Sequence, residues 1–237
     1  MTNAEYDQAT PDAIYCDVPG YSTLRPFANL AVILLCVRFV CEFLLAIANI
    51  FITQKGMEDN FMLLLSSLGI ISLFVLFAIA CIVTISMWIY RAAKNKAYFG
   101  YSGQMKVYGA DDKYKKNSSP GWSVGSFFVP VIMFFQPYIS MKEIWFASND
   151  SEYNDPRFSI LFIKWWWTLF IVEGVDGWIS FKLNLSGIET GLFDFITTIV
   201  LSAPLTLATI FLIKKITELQ EKRVLEKQAS CESEGCF

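Results

Sequence analysis

Three polar side chains, Arg38, Glu42 and Asn49, stand in an otherwise apolar stretch of the chain. At about 100° per residue their spacing brings all three within about 40° on one helical face. A charge left alone at mid-membrane costs about 3 kcal/mol on insertion scales, so Arg38 needs a carboxylate. Glu42 is the nearest in sequence, and Glu173 is the best candidate from another apolar segment. Such a set is either an interhelical polar clasp or part of an ion or proton path. Glu173 and Asp176, three apart with Gly174 and Gly177 beside them, share one helical side. Paired carboxylates of this kind bind a cation or relay protons, or simply meet water at the membrane surface. A second candidate site is the run holding Trp122, Pro130, Pro137 and Tyr138. Helices broken at membrane depth are tolerated only where they are buried or line a cavity, and transporters use such breaks around substrates. The plainer alternative is a structural hairpin.

Composition removes most other chemistry. The chain has no His among its 237 residues, which excludes Ser-His and Cys-His catalysis, His-ligated zinc and His-ligated haem. No catalytic residue, metal site or cofactor is expected, and an enzyme acting on lipid is disfavoured. A net charge of −3 with a pI near 5.1 argues against a nucleic-acid partner. Of the six Cys, Cys36, Cys41 and Cys81 lie in apolar runs and behave as small hydrophobes. Cys16 sits in the polar lead-in, and Cys231 and Cys236 sit in an acidic tail, so no disulfide framework is expected.

The elements that position these residues are transmembrane helices. The chain is 54% apolar and only 17% charged, with a mean hydropathy of +0.44. A soluble domain carries about a quarter charged residues. The fold class expected is therefore all-α, a polytopic membrane bundle. A polar lead-in at 1–26 precedes a transmembrane domain at 27–215 and a charged helix and tail at 216–237. Spans are expected at about 27–53, 61–90, 158–181 and 195–213, each near the ~20 residues that cross ~30 Å of hydrocarbon or longer. The third is the most polar, with Lys164, Glu173 and Asp176, and the last bends at Pro204. Glu218, Lys222 and Glu226 at i,i+4 spacing carry the last helix on to about Lys227.

Between the second and third spans lie a basic loop at 91–119 and the segment 121–140. The loop interleaves seven Lys and Arg with Tyr98, Tyr101, Tyr108 and Tyr114; it sets the topology, and it could also hold an anionic lipid. If 121–140 is a fifth helix, nine basic residues fall on one side and eight on the other, which is no bias. If it dips in and returns, fifteen fall inside and two outside. The positive-inside rule therefore favours four crossings plus a Pro-broken re-entrant element, with both termini cytoplasmic.

Several blocks then look familiar. Met87-Trp88-Ile89-Tyr90-Arg91-Ala92-Ala93-Lys94-Asn95 is the first, and Ser119-Pro120-Gly121-Trp122-Ser123-Val124-Gly125 the second. Phe128-Val129-Pro130, Pro137-Tyr138 and Lys142-Glu143-Ile144-Trp145-Phe146-Ala147-Ser148 follow. Together they resemble the bacterial membrane family known as domain of unknown function 4328, over roughly residues 60–225. That resemblance implies a multi-pass protein of a bacterial cytoplasmic membrane and no defined reaction. The family commonly has an Asn between its two prolines, a position that looks like Met133 here. The expected role is a non-enzymatic scaffold or sensor; the alternative is a transporter or channel component for a small solute or ion, using 121–140 and the intramembrane charges. The expected partner is the bilayer, with a second copy or another protein left open.

Overall fold

The computed structural model describes residues 20–55, 61–99, 119–149, 156–188 and 190–233. These residues form helices and the turns between them, with no strand among them. Helix α1 is Arg25–Lys55, α2 is Phe61–Tyr98, α3 is Pro120–Gly125 and α4 is Gln136–Ser148. Helix α5 is Pro156–Leu185 and α6 is Gly191–Thr197; a π-helical turn at Thr198–Ser202 leads into α7, Ala203–Ser233. Lys106, Lys113, Lys115 and Lys116 of the basic loop, Tyr101, Tyr108 and Tyr114, and Cys16 and Cys236 lie outside the described residues.

Among the described residues, three stretches are long and apolar enough to cross a bilayer: Arg25–Ala48, Phe74–Tyr98 and Gly191–Ala229. Helix α5 has 30 residues, about 45 Å at ~1.5 Å per residue. It differs from the other three in carrying Lys164, Glu173 and Asp176. Helix α2 runs two turns beyond the expected end at Tyr90, and α7 passes residues 215–216 without a break. Glu218 pairs with Lys215 at 3.2 Å, while Lys222 and Glu226 stand 3.7 Å apart as their spacing suggests.

The segment 121–140 is not one helix. Ser119 caps α3, its Oγ accepting from the Trp122 amide at 3.2 Å, and Pro120 occupies the first turn, where its missing N–H costs nothing. Beyond α3 the chain turns at Val131, which has φ 69° and ψ −50°. The Ile132 amide donates to the Pro130 carbonyl at 2.8 Å across that residue, making a tight γ-turn. A short 3-10 turn, Ile132–Phe134, leads into α4. Both prolines looked like helix breakers in the sequence; only Pro130 is one, and Pro137 lies fully buried in the first turn of α4.

Contacts order the helices by level. At one end Arg25 of α1 meets Glu221 of α7 at 2.7 Å, and Lys227 of α7 donates to the Tyr98 carbonyl of α2 at 2.9 Å. Ser148, at the end of α4, accepts from Gln220 of α7 at 2.9 Å. Near the middle, Trp166 of α5 donates to Thr209 of α7 at 3.0 Å, and Trp167 donates to the Phe134 carbonyl at 3.0 Å. The tip of the broken segment therefore lies level with the middle of α5, and α4 leads back toward the Gln220 end. The core between these helices is built from Leu35, Trp88, Ile144, Ile163, Trp166, Leu212 and Ile213, all buried.

Candidate functional site

The residues that close on one another first are Arg38, Glu42 and Glu173. The Arg38 guanidinium stands 3.6 Å from Glu42 one turn on and 3.5 Å from Glu173 of α5. Both distances are long for hydrogen bonds, so this is an ion pair by charge rather than a tight fork. Ser202, in the π-helical turn, donates to Glu42 at 2.9 Å and lies beside Glu173 as well. The π geometry explains its position. Pro204 has no amide to give, and the Ala203 amide reaches five residues back, to Thr198. One extra residue per turn brings Thr198 and Ser202 inward, where both are buried.

Around this junction lies a cleft of about 590 Å³. Glu42 comes from α1, Glu173 and Asp176 from α5, and Asp194 from α6; Met133 of the broken segment completes the wall. Four carboxylates thus share one cavity with a single guanidinium, Arg38. The α5–α6 turn that brings Asp194 there is closed by Gly187 at φ 72°. The Ile188 amide reaches back to Leu183 and that of Gly187 to Asn184, a helix ending that only glycine enters without strain. Asp194 is anchored by the Thr190 hydroxyl, which donates to it at 2.7 Å. Among the described residues, no three Asp, Glu or Cys gather closely enough to hold a metal ion.

A second cavity of about 450 Å³ adjoins the first, and Arg38, Phe170 and Glu173 line both. Its other walls are largely apolar: Leu35, Phe74, Ile85, Trp88, Trp166 and Leu205. Phe127 and Phe128 reach it from the broken segment and Met141 from α4.

Beyond Trp88 the interior turns polar again. Trp88 donates to Thr217 at 3.1 Å. Asn95 donates to Gln220 at 2.8 Å and exchanges two hydrogen bonds with Ser22, at 2.8 and 2.9 Å. Gln220 in turn donates to Ser148. Asn95, Gln220 and Ser148 are fully buried, and Lys96 pairs with Glu143 at 2.7 Å beside them. This network ties α2, α4 and α7 to the strand of chain entering α1.

The structure therefore gathers four of the nine residues singled out from the sequence. Arg38, Glu42, Glu173 and Asp176 line one cleft. Asn49 is on α1, but its side chain lies outside the described residues. Trp122 is exposed on α3, Pro130 sits in the turn, and Pro137 and Tyr138 open α4; none of the four lines either cavity. Met133, Phe127 and Phe128 do so instead. Asp194, Ser202 and the Asn95–Gln220 pair were not singled out. Asp194 falls one residue before the span expected at 195–213 and so reads as its wet edge, whereas Trp88, Ala92 and Asn95 repeat at i, i+4 and i+7, a buried stripe with an amide in it.

Comparison with known proteins adds one match. The family model described as Domain of unknown function (DUF4328) matches residues 62–218, a span that holds the blocks at 87–148 together with Glu173, Asp176 and Asp194. No curated protein and no solved structure matches the chain.

Proposed function

The chain belongs to the family described as domain of unknown function DUF4328, and from that premise we propose that it is a non-enzymatic membrane protein that takes up small cations or protons through its acidic cleft. It is read here as a transporter or channel component. The observation that carries this reading is the meeting of Glu42, Glu173, Asp176 and Asp194 around one cavity of about 590 Å³ with Arg38 as the single cation. Carboxylates inside a membrane are costly and face water or protein.

On this reading α1, α2, α5 and the α6–α7 unit cross the membrane, and residues 120–148 form a re-entrant element. Helix α5 supports its own inclusion: Leu161, Val172, Val175, Trp178 and Phe181 face outward and exposed, as a lipid-facing side would, while Glu173 turns inward. Both termini are then cytoplasmic, in a bacterial cytoplasmic membrane, where Lys94 at the end of α2 and the basic residues after Tyr98 meet anionic lipid.

The test is flux. In vesicles loaded with a pH-sensitive dye, the wild-type protein is expected to dissipate an imposed pH or sodium gradient. Glu173→Gln and Asp176→Asn are expected to slow it at least tenfold. Vesicles that hold every gradient as long as protein-free vesicles would sink the transport reading and leave the scaffold or sensor, whose partner would meet the exposed charges of α7.

A further inference from the structure

The apolar cavity gives the acidic cleft a more specific occupant. We infer that the two cavities together bind a lipophilic monocation, with its apolar body between α1, α2, α5 and α7 and its charge against Glu173 and Glu42. This deepens the transport reading and rests on it for the role of the cleft.

The volume comes first. About 450 Å³ lies within the range of small-molecule sites and is far more than a packing defect. The walls choose the body of the ligand. Thr209 accepts from Trp166 and donates to the Leu205 carbonyl at 2.7 Å, so its hydroxyl is engaged. What remains is mostly hydrocarbon and aromatic surface. Phe170 stacks on Trp167 with ring centroids 4.9 Å apart, and Phe127 stands edge-on to both. Aromatic faces of this kind favour a cation whose charge is spread over an apolar surface.

The junction chooses the sign of the charge. Arg38 already faces two carboxylates, Glu42 of the first cavity at 3.6 Å and Glu173 of the shared wall at 3.5 Å, so the junction holds two acids to one guanidinium. An anion would meet Glu173 and Glu42 at the same point. A monocation can take Glu173 from Arg38 and leave Arg38 with Glu42, its neighbour on α1. The loose 3.5 Å contact makes that exchange inexpensive. A neutral lipid tail would fill the apolar cavity without using the acids.

The probes are tetraphenylphosphonium and tetraphenylborate, nearly the same in size and opposite in charge. Binding of each to the full chain in lipid nanodiscs is measured by equilibrium dialysis against empty nanodiscs. The expected result is tetraphenylphosphonium bound at least tenfold more tightly than tetraphenylborate. Glu173→Gln and Glu42→Gln should each weaken it at least tenfold. Ala78→Trp, which fills the apolar cavity, should do the same, with folding of all three checked by chromatographic elution. Equal binding of the two ions, binding that ignores both Gln variants, or retention of a lipid that neither ion displaces would overturn the inference. A wild-type proton or sodium flux that depends on Glu173, together with no tetraphenylphosphonium binding, would overturn this inference alone; absence of both would end the transport reading too.

Discussion

At the scale of single residues, Arg38 is the one whose removal says most. Breaking one side of a fully buried pair costs about 3–5 kcal/mol, but the Arg38 side chain keeps 35% of its exposure, and water trims the cost. Arg38→Ala is expected to destabilise by about 1–2 kcal/mol in detergent melting. The Arg38→Ala, Glu173→Gln double variant should lose less than the sum of the singles. Strict additivity would mean the two do not interact. Tyr21 offers a separate test at the polar end. Its hydroxyl is buried with no hydrogen-bond partner among the described residues, and burial first, then Glu221, pushes it well above its ordinary value near 10. The folded state therefore holds the Tyr21 proton more tightly than the unfolded chain does. That contribution is full below about pH 10 and is lost as pH rises through the raised value. Tyr21→Phe should match or exceed wild type at pH 7 and fall less steeply above pH 10. Parallel wild-type and variant curves there would refute it. Arg38 and its acids were legible in the sequence because a charge in an apolar run demands a partner. Tyr21 was not, since nothing in a polar lead-in signals that Asn95 draws Ser22, and Tyr21 with it, into the interior.

At the scale of elements, helices declare themselves through long apolar runs, whereas the points where they break depend on contacts distant in sequence. Proline marked two such points in 121–140, but only tertiary packing decides that Pro137 starts a helix while Pro130 sits in the turn beyond α3. The turn between them stores strain. Val131 is β-branched and held at φ 69°, a conformation costing of order 1–3 kcal/mol. Glycine removes that cost and adds back about 0.5–1 kcal/mol of chain entropy. Val131→Gly is therefore expected to stabilise by about 1 kcal/mol in thermal melting, with Val131→Ala near neutral. A loss on the Gly substitution would mean the γ-turn is absent. The π-helical turn at Thr198–Ser202 escaped the sequence reading for a similar reason. Pro204 announces a bend, but not the extra residue that brings Ser202 to Glu42.

At the scale of the whole molecule, sidedness is the property that decides function. The re-entrant reading predicts that Lys94→Cys and Asn149→Cys, in a background without native Cys, resist a membrane-impermeant thiol reagent in intact cells. Ser186→Cys, exposed at the turn after α5, should label at once. Labelling at Asn149 but not Lys94 would mean that 120–148 crosses fully. The helical class and the three apolar stretches were legible in composition and hydropathy; the polar end at Asn95 and Gln220 was not, because its buried amides meet only in three dimensions. That end has a kinetic meaning. On the transport reading, the joined cavities, lined by Asp194 in the first and Trp88 in the second, form a cup and not a pipe. Whatever fills it leaves by the same rim unless Asn95 and Gln220 let go of each other. Each buried amide stranded in that act costs about 1–3 kcal/mol, so the base opens rarely and closes soon. On the transport reading, such a vessel would pass its cargo by the ladleful, one load for each tipping.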